Sequence, residues 1–192
     1  MNNRRALLDA AKSLIAAKGV KATTIAGIAA RAGVAKGLLF YYFKDKGSVV
    51  QAIAEELDAE YMAALPSTGE SAPAIERLHA LIRHHFDFLE QAPESAQFLY
   101  QSAAADRGEP VAGFYGHLHA RILAILEQGV AAGEFRADDV EELAYMLLGS
   151  LHGVGRLKLF EFKRDYDAAR HLAAFYDKVL LRPRAGGEHG DS

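Results

Sequence analysis

Apolar residues recur at helical spacing near the start of the chain, and this periodicity limits the fold more than any other feature of the sequence. Two successive sets show it: Leu7, Ala11, Leu14 and Ile15, then Ile25, Ile28, Ala29 and Ala32. Each set places its members on one stripe of an amphipathic α-helix. The aromatic run at residues 40–43 follows these stripes, so we expect it to lie among helices although aromatic residues favour strands.

Glycines and hydroxyl residues mark the ends of these helices. We expect Gly19 to end the first helix, because a left-handed C-terminal residue is least costly for glycine. Thr23 or Thr24 is expected to open the second helix as its N-cap, and Gly33 to end it. A third short helix follows at about residues 35–43. Two short helices joined by a glycine turn predict a helix-turn-helix unit.

The third predicted helix has two faces of different character. Leu39 and Phe43 are four residues apart and are expected to pack onto the first two helices. The other face carries residues that suit a polyanion: Lys36, Gly37, Phe40 and Tyr41. Lysine neutralises phosphates, tyrosine hydroxyls bond phosphate oxygens, and glycine lets the backbone approach a base edge. This face predicts binding to nucleic acid.

The distribution of charge supports this interpretation more strongly than the net charge does. The whole chain has a formal net charge of −3. Residues 1–50 contain nine basic and two acidic residues, a net charge of +7, which leaves −10 on the remaining residues. A basic N-terminal segment on an acidic remainder is typical of a DNA-binding domain joined to a second domain.

Several separated signatures between residues 9 and 50 occur together in register. They are a glycine after the first helix, a Thr-Thr pair, Ile-Ala ahead of Ala-Gly-Val, Lys-Gly, Tyr-Tyr-Phe and a lysine at position 46. Together they resemble the DNA-binding domain of the tetracycline-repressor (TetR) family of bacterial transcription regulators. The resemblance covers about a quarter of the chain and implies a transcription regulator, most often a repressor, that reads a palindromic operator as a homodimer.

The resemblance also implies which residues contact DNA. Lys36 and Gly37 would enter the major groove, and Thr24, Tyr41, Tyr42 and Lys46 would hold the phosphate backbone. The sequence departs from the family pattern at Ala35, Leu38 and Phe40, where the family often has polar residues, and these departures predict apolar contacts to thymine methyl groups. The full predicted set is Thr24, Ala35, Lys36, Gly37, Leu38, Phe40, Tyr41, Tyr42 and Lys46. Packing within the chain stays an alternative for Leu38, Phe40 and Tyr42, and Lys44 is expected to be solvated.

The remainder of the chain predicts a larger helical domain. A linker-like stretch from Pro66 to Pro73 precedes predicted helices at about residues 74–90, 94–105, 111–132, 139–162 and 167–181. We expect an all-α fold with a three-helix DNA-binding domain at residues 1–46, a larger helical ligand-binding and dimerisation domain at 47–182, and a disordered tail at 183–192. No stretch reaches the roughly 20 apolar residues of a membrane span, so a cytoplasmic protein is expected.

This second domain resembles, less specifically, the ligand-binding and dimerisation domain of the same family. The resemblance implies that the last two helices pair with those of a second subunit, through Leu148, Leu151, Leu172, Phe175, Tyr176 and Val179, with Leu147 and Leu159 as further candidates. It also implies a cavity for a small, largely apolar inducer, lined by Phe86, Leu89, Phe98, Phe114, Leu118, Tyr145, Met146 and His152. Ordinary packing within the chain stays the alternative for each residue of both sets.

Because the chain has eight histidines, although it has no cysteine, a metal-binding protein is one other class to consider. A helical-bundle metal-binding protein or metalloenzyme would use His79, His85 and His152, but a di-iron site needs a second Glu-x-x-His motif that the chain lacks. The phosphate loop, the GxSxG motif and the HExxH motif of common enzyme classes do not occur in the sequence. We therefore expect a binding protein without a cofactor rather than an enzyme.

Overall fold

The computed structural model describes residues 3–66, 72–136, 138–161 and 167–181. These residues form helices and no β-strand; an isolated antiparallel bridge joins Phe135 and Leu181. The α-helices are α1 (Asn3–Ala22), α2 (Ile25–Ala32), α3 (Lys36–Tyr42), α4 (Lys46–Ala64), α5 (Ala74–Gln91), α6 (Pro93–Ala103), α7 (Ala112–Ala131), α8 (Val140–Arg156) and α9 (Ala168–Leu180). The predicted all-α fold is confirmed.

The first three helices form the predicted helix-turn-helix unit. Gly19 has a φ of +81°, as expected, but the chain resumes helical geometry after it, so α1 is kinked there rather than ended. Thr24 is the N-cap of α2, and its hydroxyl oxygen accepts a hydrogen bond from the amide of Gly27 at 3.1 Å. Gly33 ends α2 with a φ of +69°. These local interactions set the angle at which α3 leaves α2.

Helix α4 connects this N-terminal unit to the rest of the chain. Its N-terminus is a capping box, in which Asp45 accepts from the amide of Ser48 at 2.8 Å while the Ser48 hydroxyl lies 3.1 Å from the amide of Asp45. The amide of Ser48 is the main reason that the pKa of Asp45 is lowered. Because α4 packs against both α1 and α7, the predicted boundary after residue 46 falls at the start of a helix that both domains share.

The N-terminal unit rests directly on the larger domain. Helices α1 and α6 make an extensive contact, which includes a hydrogen bond of 3.4 Å from the ammonium of Lys12 to the hydroxyl of Ser95. One apolar core runs through both domains and contains fully buried residues from most helices, among them Leu7, Leu39, Ile82 and Ile122. The position of α3 is therefore tied to the packing of the whole molecule.

The structure differs from the sequence prediction at several helix ends. The segment between the helices predicted at 94–105 and 111–132 is not a loop but a 3-10 helix, Asp106–Val111, which contains Pro110. Helix α8 ends at Arg156 and continues as a π-helical turn, Leu157–Glu161. The predicted disordered tail and most of the predicted linker lie outside the described residues. None of the described helices is long and apolar enough to cross a membrane.

Candidate DNA interface and ligand cavity

One face of α3 lies open to solvent. Tyr41 is 78% exposed and Phe40 is 49% exposed, whereas Leu39 on the opposite face is fully buried. The ammonium of Lys36 lies 5.9 Å from the centroid of the Phe40 ring. Tyr42 is 38% exposed, so it contributes to the surface and also packs edge-on against Tyr41. The exposed face is the one that the helical spacing predicts.

The backbone of α3 is also accessible from this side. A Cβ atom added to Gly37 would have no described heavy atom within 4 Å beyond its own helix, and the neighbouring Ala35 is exposed. Leu38 is half-buried, which is compatible with either of the two interpretations made from the sequence. Thr24 is exposed at the start of α2, and because its oxygen accepts the bond from Gly27, its hydroxyl hydrogen is left to donate to a phosphate.

Lys46 has a different environment from the other residues of the predicted DNA-binding set. Its ammonium donates hydrogen bonds to the carbonyl oxygens of Val20 at 2.7 Å and Thr23 at 3.0 Å. These bonds satisfy carbonyls at the end of α1 and hold the start of α4 against it. Sequence reasoning missed this structural role. Since a lysine has three N–H donors, one remains for the predicted phosphate contact.

The C-terminal domain contains a small cavity with room for about one water molecule. It lies between α5, α6 and α7 and is lined by His85, Phe88, Leu89, Ala96, Leu99, Tyr100, Phe114 and Tyr115. Two residues of the predicted pocket, Leu89 and Phe114, are in this wall. Three others, Phe86, Phe98 and Leu118, are buried in the surrounding core. The position of these three side chains therefore agrees with ordinary core packing, the alternative to ligand contact.

The predicted pocket residues on α8 lie in two different environments. Tyr145 and Met146 are 59% and 62% exposed, so they lie on the surface and do not line the cavity. The reason is that α8 turns its buried stripe, which includes Leu147 and Leu151, towards α7. His152 is half-buried beside the cavity, and its Nδ1 atom lies 2.9 Å from the hydroxyl of Tyr115.

The cavity is surrounded by polar groups that sequence reasoning did not assign to the pocket. The hydroxyl of Tyr61 lies 3.2 Å from Nδ1 of His85. In the described part of the chain, Nε2 of His85 and the hydroxyl of Tyr100 are buried and have no hydrogen-bond partner. Buried polar atoms of this kind are uncommon in proteins. Their spacing in the sequence does not predict that these groups lie close together, because they belong to different helices.

Burial dominates the ionisation of these groups. It lowers the pKa of His85 to about 3, an effect increased by the nearby imidazoles of His152 and His84. The backbone of Leu151 opposes this lowering. Burial also lowers the pKa of His152 and raises the pKa of Tyr100. The cavity is thus lined by uncharged side chains at neutral pH.

A larger groove lies outside this cavity, at the junction of α4 and the 3-10 helix. It has a volume of about 590 Å³ and carries the carboxylates of Asp45, Glu55, Asp58 and Glu109. His117 Nδ1 lies 2.6 Å from one oxygen of Asp58. The groove is open and acidic, so it does not suit the largely apolar molecule that the sequence predicts.

The predicted dimerisation residues divide by exposure. Leu151 is fully buried and Tyr176 is 1% exposed, so both pack within their own subunit; the Tyr176 hydroxyl lies 3.0 Å from the hydroxyl of Ser150. Leu148 and Leu172 are half-buried. Phe175 and Val179 are 55% and 36% exposed. Of the further candidates, Leu147 is fully buried and Leu159 is half-buried.

The histidines considered for a metal site have other neighbours. His79 lies 2.6 Å from a carboxylate oxygen of Asp177, while His85 and His152 contact tyrosine hydroxyls. Among the described residues, no three side chains of metal-ligating type come together. The arrangement gives no support to the metal-binding alternative.

Comparison with known proteins covers both domains. Residues 7–53 match the model of bacterial regulatory proteins of the tetR family, and residues 71–156 match the tetracyclin repressor-like C-terminal domain. The HTH-type transcriptional repressor KstR2 of Rhodococcus jostii is 31% identical over 154 residues, which are 76% of this chain and 74% of that protein.

Solved structures of similar proteins have the same fold. A TetR-family transcriptional regulator from Rhodococcus sp. has a TM-score of 0.78 and 23% identity, over 93% of this chain and 99% of that one. The transcriptional regulator FadR from Bacillus subtilis, solved in complex with stearoyl-CoA, has a TM-score of 0.79 and 22% identity, over 89% and 96% of the two chains. With matches in both domains and a relative aligned along most of its length, the chain belongs to the tetR family of bacterial regulatory proteins.

Proposed function

We propose that this protein acts as a homodimeric repressor whose two α3 helices enter successive major grooves of a palindromic operator, and that a small, largely apolar molecule releases it. Its membership of the family makes it a ligand-responsive DNA-binding repressor. What we propose beyond this is the homodimer, the palindromic symmetry of the operator and the residues that contact the DNA.

The exposed face of α3 is the observation that carries the proposal. Lys36, Gly37 and Tyr41 point away from the core, on a segment with a net charge of +7. Tyr41 contributes little to the stability of the fold, because its aromatic ring stays exposed to water. Phosphates and base edges would supply the partners that the rest of the described chain does not supply.

One similar solved structure supports the proposed ligand class. FadR was solved with stearoyl-CoA, a molecule with a long apolar chain. In this protein the cavity wall is mostly aromatic and aliphatic, which suits an apolar molecule. Tyr61 of α4 contacts this wall through His85 and Phe114. A ligand that displaced these side chains would therefore act on the helix that leads to the DNA-binding unit.

The test is binding to the DNA that flanks the protein's own gene. Fluorescence anisotropy and footprinting should reveal one protected inverted repeat, with half-site centres about 34–36 Å apart. The affinity for this site should exceed that for unrelated DNA at the same salt concentration by at least about 10³-fold. Equal affinity for both DNAs would contradict the proposed role as an operator-binding repressor.

A further inference from the structure

We propose that Lys46 is a positioning residue of the DNA-binding unit. Its ammonium joins the two ends of the segment that forms α2 and α3, so that this segment follows α4 as one body. In this role Lys46 acts on operator recognition through backbone carbonyls and not through a phosphate. The inference deepens the repressor function proposed above and rests on it.

The hydrogen bonds of Lys46 close a loop around the helix-turn-helix segment. The chain enters this segment at Thr24, the N-cap of α2, and leaves it at Asp45, the N-cap of α4. The ammonium of Lys46 donates to the carbonyl oxygens of Val20 at 2.7 Å and Thr23 at 3.0 Å. The residues that flank the segment on either side are thus bonded to each other. Joining the ends of a segment removes the conformations in which its ends separate.

Thr23 connects this link to the start of α2. It is fully buried, and its hydroxyl donates to the carbonyl oxygen of Gly19 at 2.9 Å. Its own carbonyl oxygen accepts from Lys46, and the next residue along the chain, Thr24, is the N-cap of α2. While both bonds are intact, Thr23 has little freedom to move, and the N-terminus of α2 is held with it.

The environment of Lys46 accounts for its position without a phosphate. As the first residue of α4, it lies at the positive end of the dipole of that helix, where a cation is unfavourable. The carbonyl groups at the end of α1 have the opposite polarity and offset this cost. Lys46 is half-buried, whereas Lys44 is exposed. Turning the Lys46 ammonium away towards a phosphate would remove hydrogen bonds from the carbonyls of two buried residues, Val20 and Thr23.

Helix α4 connects Lys46 with the wall of the cavity. Tyr61 lies near the other end of α4, about 22 Å from Lys46 along the helix axis. Its ring is 5.0 Å from that of Phe114, and its hydroxyl is 3.2 Å from Nδ1 of His85. A displacement of the Tyr61 end would tilt α4 and carry Lys46 with it. Because Lys46 is bonded to both Val20 and Thr23, α2 and α3 would then move with α4.

Operators with altered spacing distinguish a positioning residue from a phosphate contact. One DNA carries the inverted repeat found by footprinting, and the other carries the same half-sites moved apart by one base pair. Loss of a phosphate contact weakens binding to both DNAs about equally. Loss of the link between the segment ends weakens binding mainly to the native spacing, because the two α3 helices are no longer held at one separation. In Lys46→Met, which has no N–H donor, the preference for the native spacing should fall about three- to tenfold.

Lys44→Met is the matched control, because it removes the same charge from an exposed position next to the start of α4. It should keep the native preference for spacing. The slope of log K against log salt concentration should be the same in the two variants, whereas a phosphate contact of Lys46 would make the slope of Lys46→Met shallower by about 0.9. If Lys46→Met does not fold, Lys46→Gln takes its place in every measurement. This variant keeps an N–H donor without the charge and should show a smaller fall in the preference for spacing.

Spin labels measure the position of α2 without DNA. The chain has no cysteine, so a cysteine introduced at an exposed position carries the single label of each subunit. Ala30 of α2 and Ala59 of α4 are exposed positions of this kind. Double electron–electron resonance gives the distance between the two labels of a homodimer. Lys46→Met should broaden the distance distribution of the Ala30→Cys label and leave that of the Ala59→Cys label unchanged.

An unchanged preference for spacing or an unchanged Ala30→Cys distance distribution in Lys46→Met would overturn the proposal. A salt slope shallower by about 0.9 than that of Lys44→Met would also overturn it, because Lys46 would then contact a phosphate. If the native protein binds the operator as a dimer while one of these results is found, the inference about Lys46 fails and the proposed repressor function stands. If the native protein does not bind the operator, the proposed function itself fails, and the inference fails with it.

Discussion

Single residues of the DNA-binding unit differ in what their environment allows them to do. Lys36 is exposed on α3, with its ammonium near the Phe40 ring, whereas Lys46 is tied to two carbonyl oxygens at the end of α1. The two lysines belong to the same predicted set, but the sequence does not distinguish them. Lys36 is therefore the better probe of a direct phosphate or base contact, because replacing it should leave the fold intact.

Replacement of Lys36 by alanine should weaken DNA binding and reduce its salt dependence. If Lys36 neutralises a phosphate, the slope of log K against log salt concentration should become shallower by about 0.9. If it reads a base edge as well, the preference for the operator over unrelated DNA should also fall by about 1–3 kcal/mol. Anisotropy titrations at several salt concentrations measure both. Arg121→Ala, which removes the same charge from an exposed position of α7, should change neither quantity.

The ionisation of His85 should make stability depend on pH. Its pKa is about 3 in the folded protein, and about 6.5 is usual for an unfolded chain. Between these values the unfolded chain binds a proton that the folded chain does not. The free energy of unfolding should therefore fall as the pH falls below about 6.5, by about 1.4 kcal/mol between pH 7.5 and 5.5 for this group.

Urea unfolding of the native protein and of His85→Leu at the two pH values tests this dependence. The variant removes the titrating group, so its loss of stability on acidification should be smaller by about 1.4 kcal/mol. Any cost of leaving the Tyr61 hydroxyl unpaired applies at both pH values and cancels. An identical loss in the two proteins would show that His85 is protonated in the fold or that it is not buried.

At the scale of helices, close approach between elements depends on a few glycines. Gly129 lies in α7 where the ring of Phe135 packs against the helix, and a Cβ atom there would overlap that ring. Phe135 is 2% exposed, so its ring has little space into which to move. Gly116 lies in the same helix with no described heavy atom within 4 Å of its Cβ position beyond the helix itself. Alanine substitutions at these two glycines therefore distinguish the effect of packing from the effect of helix propensity.

Alanine substitutions at these glycines should have opposite effects. Gly129→Ala should lower the free energy of unfolding by about 1–3 kcal/mol, because overpacking outweighs the better helix propensity of alanine. Gly116→Ala should be neutral or raise it by up to about 1 kcal/mol. Urea unfolding curves of the two variants provide the comparison. A stabilised Gly129→Ala protein would mean that Phe135 does not occupy the described position.

The helices themselves were predictable from sequence, whereas the cavity was not. Periodicity, the N-cap at Thr24 and the left-handed Gly33 are local signals, and the structure contains each of them. The unpaired polar atoms of His85 and Tyr100 result from contacts between helices far apart in sequence, to which local patterns are insensitive. Tyr145 and Met146 illustrate the same limit, because their apolar character predicts burial and only the orientation of α8 shows that they are exposed.

For the molecule as a whole, exposed apolar side chains remain on the last two helices. Tyr145, Met146, Phe175 and Val179 are all exposed in the single subunit, while the buried residues Leu151 and Tyr176 already pack within it. Exposed apolar surface on a helical face often marks a contact between proteins. Pairing with a second copy would cover these side chains and place two DNA-binding units on one assembly, as the proposed operator symmetry requires.

Charges introduced into this face should separate the subunits. In the double variant Phe175→Glu and Val179→Glu, two carboxylates would lose hydration on association, and they would face their own copies across a symmetric interface. Light scattering at micromolar concentration should give the mass of a dimer for the native protein and of a monomer for the variant. Operator affinity should fall by at least about 10²-fold, since each unit would then bind without the effective concentration supplied by its partner.

Ala59→Glu with Ala63→Glu is a matched control, because it adds the same charge at the same spacing to exposed positions of α4 and should leave both mass and affinity nearly unchanged. A native protein that is monomeric at this concentration would contradict the two-unit mechanism. A variant that remains dimeric would instead place the interface on another surface of the subunit.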